Sequence, residues 1–100
     1  MYDLTKYKEQ IDRLCDAHGV QSLFVFGSVL TDHFSPDSDI DLLVHLKASD
    51  PITYSDQYFL LKDGLEKLFN RNIDLLEVCS LRNPYLKNQI EKNRVLLYGN

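Results

Sequence analysis

The stretch FGSVLTDHFSPDSDIDLLV, Phe26 to Val44, decides how this chain is read, because it sets Asp39 and Asp41 into a run that otherwise has the composition of a buried strand. Residues two apart on a strand share a face. Asp39 and Asp41 therefore project side by side, while Ile40, Leu42 and Val44 project to the other face. Two carboxylates about 5 to 7 Å apart in a partly dry setting repel, and one is driven to take up a proton unless a cation lies between them. A plainer reading makes them turn or cap residues at a strand entrance, since Ser35 to Asp39 is turn-like. Asp41 sits too deep in the apolar run for that reading to cover it.

Working outward, Leu4, Tyr7, Ile11, Leu14 and His18 recur at helical spacing before Gly19, which predicts an amphipathic helix over Asp3 to His18. Gln21 to Ser28 is rich in aromatic and β-branched residues and ends at Gly-Ser, as a strand delivering a tight turn does. The second strand spans Asp39 to Leu46. Asp50-Pro51 reads as an N-cap with proline in the first helical position, and Tyr54, Tyr58, Leu61, Leu65 and Leu68 carry a long helix to about Asn70. Asn72 to Val78 is a third strand. Asn83-Pro84 opens a short helix to about Lys92, with Asn93 expected as its left-handed terminator, and Arg94 to Tyr98 is a final short strand or a docked tail. The close spacing of the first two strands predicts an antiparallel pair; the helix between the second and third permits a parallel crossover. The fold class expected is α+β, layered, with helices packed on a small mixed sheet in one domain over residues 1–100.

One hundred residues, 44% of them hydrophobic, suffice for one modest core. A chain this small has little room to wrap both a nucleotide and a second substrate, so a partner or a homo- or hetero-oligomer is expected to supply the rest. Eleven Lys and Arg stand against fifteen Asp and Glu, a net charge of -4, which argues against free nucleic acid as primary ligand. Cys15 and Cys79 match no disulfide framework or zinc spacing, and no apolar run approaches a membrane span. A reducing, cytoplasmic location is the expectation.

Asp74 repeats the anomaly of the opening stretch, a carboxylate at the start of a strand that continues Leu75-Leu76. If the second and third strands are neighbours, Asp74 can converge on Asp39 and Asp41. Hard oxygen donors without a nearby His or Cys point to Mg²⁺, with Mn²⁺ as the alternative, and three such carboxylates suit a two-metal site for phosphoryl or nucleotidyl transfer. Gly27 lets backbone approach a phosphate, and the Ser28 hydroxyl with the following amides can hold anionic oxygens. The Gly-Ser pair gains its weight from position, ten residues ahead of Asp39-Ile40-Asp41.

Gly27-Ser28, the ten-residue interval, Asp39-Ile40-Asp41 and the later Asp74 together resemble the nucleotidyltransferase superfamily of the DNA polymerase β type, and within it the minimal nucleotidyltransferases (MNT). The resemblance implies a nucleotidyltransferase fold that uses ATP with two Mg²⁺ ions. It implies that Gly27 and Ser28 contact the triphosphate, that Asp39 and Asp41 bind both metals, and that Asp74 completes the site and assists deprotonation of the acceptor. It further implies a small helical HEPN partner encoded nearby, as in type VII-like HEPN/MNT toxin–antitoxin pairs, where some antitoxins transfer AMP to a tyrosine of the toxin. Many relatives carry Arg-x-Arg-Gly after Gly-Ser, whereas this chain has Val29, Leu30, Thr31 and Asp32. Two cationic phosphate contacts are thereby absent, which keeps a second reading open: a catalytically weak or inactive nucleotide-binding antitoxin that neutralises its partner by complex formation. A metal-dependent phosphohydrolase is a third, less well matched by the Gly-Ser spacing.

The remaining polar residues read more blandly. His45 lies four residues beyond Asp41, roughly 13 Å at strand rise, too far to share a metal. His18 suits a helix C-terminus, and His33 is a secondary candidate for phosphate. Cys15 and Cys79 read as small buried hydrophobes, Tyr54 and Tyr58 as packing residues, and Glu77 as pointing away from Asp74.

Overall fold

The structure, a computed structural model, describes residues 4–27, 39–77 and 83–99. A 3₁₀ turn at Thr5–Tyr7 leads into helix α1 (Lys8–Ala17), strand β1 (Val20–Phe26), strand β2 (Ile40–Leu46), helix α2 (Pro51–Phe69), strand β3 (Ile73–Glu77), helix α3 (Pro84–Asn93) and strand β4 (Val95–Gly99). The described strands form one mixed sheet in the order β3-β2-β1-β4. β1 runs antiparallel to β2 and to β4, and β2 runs parallel to β3, the pairing expected when a helix makes the crossover. The C-terminal run is thus a strand, paired against the outer side of β1.

The first helix begins later than its hydrophobic spacing predicts. The Tyr7 amide donates to the Leu4 carbonyl at 3.1 Å, a three-residue step that makes the opening turn 3₁₀, and no side chain caps α1 at Tyr7. Ile11 and Cys15, four apart, are its fully buried residues, while Lys8–Asp12 (2.6 Å) and Arg13–Glu9 ion pairs occupy the exposed side. Gly19, at φ 67, reverses the chain out of the helix, and its carbonyl accepts from the Lys47 amide at 2.9 Å. The chain thereby enters β1 beside the far end of β2.

α2 is bounded by two local devices. Asp50 caps it by accepting from the Thr53 amide at 2.9 Å with Pro51 in the first turn, and Asn70 ends it in the left-handed conformation, φ 53 and ψ 44. Leu61, Leu65 and Phe69 repeat every four residues and are buried against the sheet. Gly64 gives the closest approach of α1: a Cβ there would stand 2.7 Å from a Leu14 methyl. At α3, by contrast, the expected left-handed terminator at Asn93 is corrected. Asn70 is the only non-glycine residue with positive φ among the described residues, and Asn93 is the last helical residue, its Nδ2 donating to the Gln89 carbonyl at 3.0 Å. The Arg94 amide closes the helix on Ile90 at 2.9 Å, and the chain passes directly into β4, so no reversal is needed.

The core lies between α1, α2 and one face of the sheet. It gathers Ile11, Cys15, Leu61, Leu65 and Phe69 with Leu23, Val25, Ile40, Leu42, Val44, Ile73 and Leu75. Two tyrosines pin α2 to the edge strand: the Tyr58 hydroxyl donates to the Leu75 carbonyl at 2.6 Å and that of Tyr54 to Glu77 at 3.0 Å. Among the described residues no helix is long and apolar enough to cross a membrane.

Leu65 is wholly buried, so Leu65→Ala should lower the free energy of unfolding by about 2 to 5 kcal/mol, read as an earlier midpoint in urea denaturation. Burial, helped by Asp12 and Asp16 and opposed by Lys8, pushes the Cys15 thiol up to about 12. Iodoacetamide at pH 8 should therefore leave Cys15 unmodified in the folded protein and alkylate it in urea, as read by peptide mass spectrometry.

Candidate functional site

The strand pairings fix which side chains meet at one end of the sheet. Phe26 is the cross-strand partner of Asp41, and Asp41 is the partner of Asp74. Cross-strand partners share a face, so the two carboxylates stand in one row beside the end of β1. They occupy the face opposite the helices, because Ile40, Leu42 and Val44, which alternate with Asp41, belong to the helix-covered core. Asp41 is half-buried, whereas Asp74 is exposed. Asp39 is exposed just ahead of β2, where the neighbouring Ile40 amide donates to the Asn72 carbonyl at 3.2 Å. That bond ties the starts of the two parallel strands together.

Gly27 follows β1 with φ 79, a left-handed conformation that side chains disfavour. A Cβ placed there would overlap an Asp41 carboxylate oxygen and lie 3.1 Å from its Cγ. The absence of a side chain at residue 27 is what allows the backbone of the turn to lie directly against Asp41. Ser28, together with Val29, Leu30, Thr31, Asp32 and His33, lies outside the described residues, as does Cys79. His45, with Ser22 as its cross-strand partner, is exposed two rows from Asp41, in keeping with its expected place away from the carboxylates.

The donor set is oxygen only. Among the described residues no three His, Cys, Asp or Glu side chains are gathered closely enough to cage a metal ion. Mg²⁺ does not require such a cage: it binds through one or two carboxylates and completes its octahedron with water and substrate phosphate oxygens. Asp41 and Asp74 in register, with Asp39 two residues before Asp41, fit that demand. The negative potential of this region is felt nearby. The Tyr58 hydroxyl is held above its ordinary range first by burial, then by Glu77 and Asp74.

A residue that sequence reasoning read only as the start of the last strand also belongs to this face. The central carbon of the Arg94 guanidinium lies over the Phe24 ring, 4.0 Å from its centre. Phe24 and Phe26 alternate onto the same side of β1, the side of Asp41. Nothing in the local sequence marks Arg94, since its placement depends on a pairing seventy residues apart.

Comparison with known proteins followed from this geometry. The family model described as a nucleotidyltransferase domain matches residues 7–97. A relative from Methanocaldococcus jannaschii, named "Putative protein adenylyltransferase", is 31% identical over 99 residues, spanning 95% of this chain and 98% of its own. A solved structure described as a "putative minimal nucleotidyltransferase" superposes with a TM-score of 0.75 at 30% identity, covering 92% of this chain and 90% of the other. The fold is shared as well with a chain of the solved complex described as "tri-AMPylated Shewanella oneidensis HEPN toxin in complex with MNT antitoxin", at TM-score 0.65 and 21% identity over 98% of this chain and 74% of that one.

Gly27→Ala should both strain the backbone and displace the Asp41 carboxylate. The left-handed conformation alone costs about 1 to 2 kcal/mol for a residue with a Cβ. Urea denaturation should show at least that loss, and Gly27→Ala in an Asp41→Ala background should show a smaller one, because the clash has been removed.

Proposed function

This chain belongs to the nucleotidyltransferase domain family, and from that membership we propose that it is a Mg²⁺-dependent enzyme that transfers AMP from ATP to a hydroxyl of a protein partner. The observation that carries the reading is the register that sets Asp41 opposite Asp74 next to the Gly27 bend. Nucleotidyl transfer needs neighbouring carboxylates beside backbone that can approach phosphates, and the Asp41–Asp74 register next to Gly27 supports that reading.

In this reading Gly27 and Ser28 receive the triphosphate, and Asp39 and Asp41, with Asp74 completing the set, hold magnesium, which neutralises phosphate charge in the ground and transition states. Asp74, exposed at the outer edge of the row, accepts the proton of the acceptor hydroxyl. The hydroxyl oxygen bonds to the α-phosphorus, the bond from that phosphorus to the bridging oxygen breaks, and pyrophosphate leaves with the electron pair. Phe26, half-buried beside Asp41, keeps one side of the site apolar and limits attack by water.

The acceptor we infer is a tyrosine of a small helical HEPN-type toxin encoded nearby, with this chain as its antitoxin in the cytoplasm. The AMPylated toxin in the Shewanella oneidensis complex and the name of the Methanocaldococcus jannaschii relative support that choice. The sequence Val29-Leu30-Thr31-Asp32, where many relatives have arginines, favours the second reading of neutralisation by binding alone.

Incubation of the chain with its neighbouring helical partner, ATP and Mg²⁺, followed by intact mass spectrometry, separates the two. Transfer predicts one or more AMP groups on the partner, abolished by Asp39→Ala with Asp41→Ala and by removal of the metal with EDTA. Unmodified partner held in a tight complex would establish the binding module instead, and release of inorganic phosphate would point to hydrolysis.

A further inference from the structure

The unanswered question at this site is what supplies positive charge to a triphosphate, since no Lys or Arg stands between Arg13 and Lys47 in the sequence. Arg94 answers it by position. β4 pairs antiparallel with β1 up to Val25 and Val95, and one further step along that register brings Arg94 level with Phe26. Phe26 pairs with Asp41 and Asp41 with Asp74, so one row reads Arg94, Phe26, Asp41, Asp74 across four neighbouring strands. Strand spacing places the Arg94 backbone roughly 10 Å from that of Asp41, within reach of a long side chain and an extended phosphate chain between them.

Three observations show that the guanidinium is held for use on this face. It lies over the ring of Phe24, two residues before Phe26 on the same side of β1, which holds it on this face. Among the described residues it enters no salt bridge. Its backbone amide is bonded to Ile90, so the end of α3 and the start of β4 both restrain it. A half-buried, planar cation with no carboxylate partner among the described residues, aligned with two carboxylates, is a ready anion contact.

Resting on the nucleotidyltransferase reading above, we propose that Arg94 binds the β- and γ-phosphates of the bound triphosphate and the departing pyrophosphate. The polarity of the row decides which phosphates. The α-phosphorus must sit at the carboxylates, where the acceptor oxygen attacks. The Gly27 bend lies next along the row, and Arg94 lies beyond it on the far side of β1. The outer phosphates, and then pyrophosphate with the charge it gains on leaving, therefore face Arg94.

Isothermal titration calorimetry on the full chain with Mg²⁺ tests this, using a non-hydrolysable ATP analogue and AMP as probes. Arg94→Gln should weaken the analogue about 10- to 100-fold while changing AMP by less than about threefold, as loss of a charge-assisted contact to the outer phosphates requires. Arg94→Lys should recover part of the loss, since it keeps the charge without the planar fork. Should Arg94→Gln fail to fold by circular dichroism, the same analogue-against-AMP comparison on Arg94→Lys decides between the same outcomes. Equal affinity in variant and wild type overturns the proposal and leaves the nucleotidyltransferase reading standing. Parallel losses for AMP and analogue would assign Arg94 a purely structural role and overturn it as well. Failure of the wild-type protein to bind the analogue would overturn the nucleotide reading itself, and this inference with it.

Discussion

The parallel pairing of β2 with β3 is the constraint on which the rest of the structure depends. It requires a crossover, which α2 provides, and it sets the starts of both strands at the same end of the sheet. Their equal register then places Asp41 against Asp74. Like charges directly opposite one another destabilise a sheet. The pairing persists because the other face of the same strands is covered: Ile40, Leu42, Ile73 and Leu75 are buried under α2, and Tyr58 and Tyr54 fasten β3 to that helix by their hydroxyls. The apolar face thus offsets the electrostatic tension of the polar one. A chemically demanding arrangement is held by residues that take no part in the chemistry.

Much of this architecture was legible before any coordinates. Asp50-Pro51 announced the start of α2, Gly19 the end of α1, and the alternation around Asp39 and Asp41 both a strand and its unusual face. Those signals are local, carried by backbone preferences within a few residues. What was misplaced or missed was settled elsewhere. Asn93 has the composition of a left-handed cap, yet the demand of β4 for a straight entry overrode it, and Asn70 alone of the two took that conformation. Arg94 carried no motif; its relation to Asp41 passes through two strand pairings that no local pattern encodes. The pairing of Asp41 with Asp74 was legible only as a conditional, true if the strands were neighbours.

The geometry of the proposed site suits a chain so small. Among the described residues it is a row of charged groups on one sheet face, with Gly27 leaving out a Cβ that would overlap the Asp41 carboxylate. In the proposed reading, metal and phosphate complete the coordination, and a second protein brings the acceptor and excludes water.

The strand order has a consequence for biosynthesis. β1 is translated early but its outer edge is matched only by β4, residues 95 to 99, so the hydrogen bonds of that edge stay open while the intervening elements emerge from the ribosome. Any product that stops short of β4 would expose a strand carrying Leu23, Phe24, Val25 and Phe26 as a template for intermolecular pairing. Closing that edge of β1 therefore falls to Val95–Gly99.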